Sequence, residues 1–380
     1  MIETAVRDDL LRLSREIHDD PELSYEERRA VDRICKVLQR HGVAVERNTA
    51  GIETAFRARI GPGGRGPHAR SAGPSVALLA EYDALPEVGH GCGHNLIAMS
   101  NVGAFLQLAA ARPRLDVAIE LIGTPAEEHG VGKAAMLDAG AFRDVIAVLS
   151  SHPSSSPRWS YGERSLGVVS RRVTYHGRAA HAASTPALGR NALNGVIRLF
   201  VGIDGWRQHL PRDTRVHGVI TYGGGAPNVV PERAEALFGL RAADMDALRE
   251  LDATFEDVAR GAALQTGTTV EIAEAAPPYL PLRPNPTLTN VIGAELAARG
   301  IDAECGGLFM ASTDLGNLSQ VVPTDHVGFP VTTEPIAGHS HAMAAASVSD
   351  LAHENAFIVS EVLASAALRV ASDRAVREAL

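Results

Sequence analysis

The chain has 380 residues, a hydrophobic fraction of 45% and a formal net charge of -9. That is room for two domains, or for one large domain with an insertion, in a composition normal for a globular protein. The acidic balance argues against nucleic acid or an anionic membrane surface as the main partner, and no apolar run reads as long enough to cross a bilayer.

The N-terminus is acidic and amphipathic, unlike a signal peptide. The widely spaced Cys35, Cys92 and Cys305 suit a reducing, cytoplasmic setting better than a disulfide framework. The only lysines are Lys36 and Lys133, which leaves Schiff-base chemistry few candidates.

Val6, Leu10, Leu13 and Ile17 recur at helical spacing over 4–18, and Pro21 ends that helix. Ser24-Tyr25-Glu26-Glu27 has the pattern of a capping box opening a helix that runs to Arg40. Strands are predicted at 52–60 and 75–81. Between them, Gly61, Gly63 and Gly66 match the dinucleotide fingerprint G-x-G-x-x-G. Pro67 and the Ser/Gly/Pro run after it cannot open the phosphate-binding helix the fingerprint needs, so the stretch reads as a flexible hairpin loop.

The stretch Gly89-His90-Gly91-Cys92-Gly93-His94-Asn95 follows, just ahead of a helix predicted at 96–111. A cysteine and a histidine two apart can reach one metal if the backbone turns sharply, and glycines allow such turns. A third strand, 116–122, delivers Thr124-Pro125-Ala126-Glu127-Glu128 and a helix through Ala139. A fourth, 145–150, ends in Ser151-His152-Pro153.

From 166 the pattern changes. Strands at 166–175, 217–222, 234–241 and 269–274 alternate with helices at 191–210 and 245–264, an α+β insertion bounded by turn-rich sequence. Helices are predicted at 288–299, after Ser312-Thr313-Asp314, and at 347–369, the last preceded by Gly338-His339-Ser340-His341.

Three successive strands thus carry metal-competent side chains at the edge where open α/β sheets place their ligands. Taken one at a time, the motifs have plain alternatives: a buried thiol with packing histidines, or an acidic helix start. Their convergence outweighs these. Cys92, His94, Glu127, Glu128, His152 and His339, with His341 as the alternative to His339, suit one or two ions of the zinc, manganese, cobalt or nickel type; calcium or magnesium would want an oxygen-only shell. Of two adjacent glutamates, one can bind metal while the other acts as general base on water. Arg178, Arg241 and the helix start at Ser312 are candidates to hold a substrate carboxylate.

The block Glu81-Tyr82-Asp83-Ala84-Leu85-Pro86, the Gly89 to Asn95 stretch, Thr124 to Glu128, Ser151-His152-Pro153, Ala180-His181-Ala182, Pro227-Asn228-Val229-Val230-Pro231 and Gly338-His339-Ser340 together resemble the amidohydrolase branch of the aminoacylase/carboxypeptidase metallopeptidase family. Within it they look most like the aminobenzoyl-glutamate hydrolase and β-alanyl-dipeptidase subgroup, over nearly the whole chain and in order. The resemblance implies a phosphorylase/hydrolase-like α/β catalytic domain (1–165 and 282–380), with a mixed sheet flanked by helices, that binds two divalent metals, zinc or manganese. It also implies an inserted α+β lid (166–281) that forms a homodimer. Cys92 would bridge the metals, with His94, Glu128, His152 and His339 completing the two shells. Glu127 would be the general base and Asp83 would orient a ligand histidine. His181 would stabilise the oxyanion, reaching across the dimer. Asn228 would help bind substrate.

The implied activity is hydrolysis of an N-acyl amino acid, an aminobenzoyl-glutamate-like compound or a small dipeptide. A strict dipeptidase, or a binding protein that kept the fold, is the alternative. The peptidase branch carries a histidine where Glu81 stands and an aspartate where Cys92 stands, and an aromatic residue often stands where this chain has Met343.

Overall fold

The computed structural model describes residues 3–62 and 73–380. Contacts divide the chain into two units: Met1–Arg164 with Leu282–Gly307 and Asp314–Leu380, and Ser165–Pro281 with Leu308–Thr313. The sequence reading leaves 308–313 in the larger domain.

The first unit is built on an eight-stranded mixed sheet among the described residues, in the order Val45–Arg47, Phe56–Ile60, Ala118–Gly123, Ser75–Ala80, Val145–Ser154, Thr324–Pro330, Trp159–Tyr161, Ala303–Cys305. Ser75–Ala80 lies parallel to both Ala118–Gly123 and Val145–Ser154. Every residue of Ser75–Ala80 and Ala118–Gly123 is buried, as continuous apolar runs require of central parallel strands covered on both faces. The helix His94–Ala111 is buried nearly all round and packs against Thr4–Asp19 and Asp350–Ser372.

Several expectations are corrected. Phe56–Ile60 and Ser75–Ala80 pair on opposite sides of Ala118–Gly123, so their connection is not a hairpin; the glycine run from Gly63 on lies outside the described residues. The strand Val145–Ser154 runs through His152, which sits on the strand and not after it. The Ser24–Glu27 pattern makes no capping box. Arg28–Arg40 has no side-chain cap from Glu27, and its early amides at Arg29 and Ala30 donate instead to Glu22 Oε2 at 2.8 and 2.9 Å. Asp314 does not cap the helix Leu315–Ser319. The last long helix is Asp350–Ser372, capped by Ser349 and separate from His341–Ala346. It is, against expectation, long and apolar enough to cross a membrane by length and composition, but 67% of its apolar stretch is buried in the protein.

The second unit is a four-stranded antiparallel sheet, ordered Thr269–Tyr279, Gly167–His176, Arg233–Ala242, Arg215–Tyr222. Helices Ala192–Arg207 and Met245–Thr266 pack on it around Tyr175, Phe238 and Phe255. The strand at 269 continues through Pro277 and Pro278 to Tyr279. It is an edge strand whose register shifts there, which is where prolines are tolerated.

Candidate metal centre

The first unit gathers Cys92, His94, Glu127, Glu128, His152 and His339. Their donor atoms form three groups, each within 4.8 Å: Cys92 with His94 and His152, Cys92 with Glu128 and His339, and His94 with Glu127 and Glu128. Cys92 belongs to two of them. His341 belongs to none of these groups; it opens the helix His341–Ala346.

Local backbone puts them there. Gly93 has φ 76° and ends the loop that carries Cys92, so His94 starts the helix with its ring turned inward. A Cβ at Gly93 would lie 2.8 Å from Pro153 Cγ, beside His152. Ala126, at φ 60°, precedes the one-turn helix Glu127–Gly130, and Val131 after it has φ 48°. A β-branched residue in the left-handed region is strained, and such strain collects at functional sites. The His339 amide donates to the Gly91 carbonyl at 3.1 Å, which ties the last motif to the cysteine loop.

Hydrogen bonds set the tautomers. His94 Nδ1 meets Asp83 Oδ1 at 2.9 Å, and His152 Nδ1 meets the Pro153 carbonyl at 2.8 Å. Both rings therefore present Nε2 to the cluster. His152 Nε2 lies 3.5 Å from Cys92 Sγ. His94 Nε2 faces Glu81, Glu127 and Glu128 at 3.6, 3.8 and 3.8 Å. His339 Nε2 is 3.8 Å from Glu128 Oε2, on a side chain 61% exposed.

The charges do not balance without a cation. Burial and the neighbouring Glu128 push the Glu127 carboxyl well above its ordinary value. Burial raises Glu128 to about 7 against the pull of His94. Burial and Glu128 also push the Cys92 thiol up, and burial holds His152 down at about 4. Asp83 resists burial and stays at about 2 because His94 charges against it and bonds to it. His94 Nε2 and Glu128 Oε1 are buried and meet no hydrogen-bond partner among the described residues. Sulfur, nitrogen and oxygen donors facing one another, two of them without a hydrogen-bond partner among the described residues, fit a site for borderline divalent ions.

Three residues read as local structure in the sequence hold this centre. Ser24 Oγ donates to Asp83 Oδ2 at 3.0 Å, and the Glu128 amide donates to the same oxygen at 2.9 Å. Glu27 Oε1 accepts the Ala126 amide at 2.8 Å. Asp314 pairs with the buried Lys133. Nothing in the spacing of these residues foretells partners so far along the chain.

His181, Asn228 and Arg241 lie in the second unit. The amides of Ala183 and Ser184 both donate to His181 Nδ1, at 3.2 Å each, which leaves the ring proton on Nε2. Asn228 is exposed, its carbonyl taking the Ala182 amide at 2.9 Å. Arg241 is partly buried, with Nη1 donating to Ser312 Oγ at 2.7 Å and Nε to His217 Nε2 at 3.4 Å.

Residues 77–365 match peptidase family M20/M25/M40. The chain is 38% identical over 372 residues to the Xaa-Arg dipeptidase of Mus musculus, covering 94% of this chain and 84% of that protein. It is 35% identical over 313 residues to one of the subunits of the p-aminobenzoyl-glutamate hydrolase of Escherichia coli (strain K12), covering 76% of this chain and 62% of that one. A solved structure of the Bacillus subtilis YXEP protein, described as a dinuclear metal binding peptidase from the M20 family, superposes with a TM-score of 0.75 at 21% identity over 97% of this chain and 99% of that one. A profile match over most of the chain and a dipeptidase relative along nearly its whole length place it plainly: the chain belongs to peptidase family M20/M25/M40 and is a metal-dependent hydrolase of linear amides.

Proposed function

We propose that the chain cleaves the amide of an N-acyl amino acid, an aminobenzoyl-glutamate-like compound or a small dipeptide at a pair of divalent ions to both of which Cys92 would be a ligand. His94 and His152 would complete one shell, and Glu128 and His339 the other. The observation that carries this reading is the double membership of Cys92 Sγ in a group with His94 and His152 and a group with Glu128 and His339. The donor mix suits zinc or manganese.

When bound, the ions polarise the amide carbonyl and acidify water. Glu127 accepts the proton of the attacking water and passes it to the leaving amine. Asp83 fixes the His94 tautomer through the bond at 2.9 Å. His181 donates from Nε2 to the oxyanion, a role supported by the two amides that occupy its Nδ1. Arg241 holds a substrate carboxylate, with Asn228 as a second substrate contact. Its guanidinium has hydroxyl and imidazole neighbours and no carboxylate partner among the described residues, the condition in which a bidentate anion is most welcome. Dimerisation through the second unit completes the proposal: the edge strand Arg215–Tyr222 exposes Val219, Ile220 and Tyr222 along a border a second copy would cover.

A hydrolysis screen of N-acyl amino acids, aminobenzoyl-glutamate, β-alanyl and Xaa-Arg dipeptides, with zinc and manganese compared, tests this reading. Turnover of at least one class is the expected result. Glu127→Gln should keep its metal and lose about 10²–10⁴ in kcat. Two tightly bound ions with no hydrolysis of any amide would leave a binding protein instead.

A further inference from the structure

Beneath the donor groups lies a second cluster that the reaction does not use. Lys133, one of two lysines in the chain, is fully buried at 0% exposure. Its Nζ is 2.9 Å from Glu81 Oε1 and pairs with Asp314 Oδ1, while its own amide donates to Asp314 Oδ2 at 2.9 Å. Glu81 and Asp314 are 3% and 0% exposed, so all three charges sit out of water. Asp314 grips the lysine by backbone and side chain together, which fixes where the ammonium stands. Glu81 has only one oxygen on the lysine. The other lies 3.6 Å from His94 Nε2, nearer than Glu127 or Glu128 at 3.8 Å.

Glu81 is therefore a carboxylate within reach of the ion that His94 would hold, yet it belongs to none of the three donor groups. A buried carboxylate that close to a divalent cation is drawn onto it unless something competes. The ammonium of Lys133 competes.

We propose that Lys133, anchored by Asp314, is a positioning residue that holds Glu81 back from the ion beside His94 and so keeps a coordination position open for water or the amide carbonyl. This rests on the two-ion reading above. A catalytic metal needs an open position where a structural one does not, and a sixth protein donor would close it. The lysine also lowers the net negative charge of the centre, so the ions bind less tightly than the carboxylates alone would allow.

The sign of the effect separates this from ordinary structural support. Loss of a residue that merely buttresses metal ligands weakens metal binding, by roughly 10- to 100-fold. Loss of Lys133 should tighten it. The experiment uses the metal-loaded full chain. Wild type, Lys133→Met, Glu81→Gln and the double variant are titrated with zinc and with manganese by calorimetry, and the metal content, kcat and KM of each are measured.

Lys133→Met should bind its metals about tenfold tighter or more and lose kcat with little change in KM. The double variant Glu81→Gln/Lys133→Met has no carboxylate to close the position and should recover most of that kcat. Should Lys133→Met alone fail to fold, Glu81→Gln keeps the Lys133–Asp314 pair and answers on its own: it should retain two ions per chain. Loss of one ion from Glu81→Gln would make Glu81 a ligand and overturn the proposal, as would weaker metal binding by Lys133→Met or no recovery in the double variant. A wild type that binds no metal would instead sink the two-ion reading itself.

Discussion

In the proposed centre Cys92 serves both ions, so its removal is felt by both. Cys92→Ala should therefore cost more than one equivalent of metal, read by elemental analysis after dialysis. Full metal content in that variant would take Cys92 out of the centre. The same substitution removes little packing, since Cys92 is only half-buried, so thermal stability of the metal-free form should change little. At this scale the gathering of these side chains is legible because three successive strands carry cysteine, histidine and paired glutamates to one edge of the sheet, a convergence no single motif shows. The groups around them were not. Lys133 stands out in the sequence only as one of two lysines, Asp314 as a helix cap and Glu27 as part of a capping box. Each finds its partner in a distant segment: Lys133 with Glu81 and Asp314, Glu27 with the Ala126 amide. One chain position says nothing about partners so far along the sequence.

The elements act as rigid arms for these residues. The buried strands Ser75–Ala80, Ala118–Gly123 and Val145–Ser154 run parallel, and the loop with Cys92, the Glu127–Glu128 turn and His152 itself follow from their order. That much follows from alternation of apolar runs with helical spacing. What escaped was the pairing of the flanking strand Phe56–Ile60, because antiparallel neighbours need not be neighbours in sequence. The turn before His94 is the most exacting of these joints. Gly93 combines φ 76° with a Cβ position 2.8 Å from the Pro153 ring. Gly93→Ala would need a backbone that costs about 1–2 kcal/mol in the left-handed region, plus displacement of the proline next to His152. The expected outcome is a lower melting temperature with metal and a weaker metal affinity; an unchanged melting temperature and full affinity would show the joint to be slack.

At the scale of the molecule, the edge strand Arg215–Tyr222 offers an apolar, unpaired border, with Val219 58% exposed. A charge on such a border discourages pairing between copies. If the proposed dimer forms along this border, Val219→Lys should give a monomer in analytical ultracentrifugation with the fold of each unit intact by circular dichroism. A variant that stays dimeric would move the interface elsewhere. The first unit, for its part, is closed late. Its central helix His94–Ala111 rests on Asp350–Ser372, and His339 reaches back to the Gly91 carbonyl. A ribosome making this chain releases the thiol of Cys92 long before the imidazole of His339, and the helix that braces them comes later still. The paired binding place proposed for the ions cannot exist before His339 and the helix Asp350–Ser372 have been made, so loading waits for both, and any cation the early histidines and thiol catch beforehand is held without its second partner.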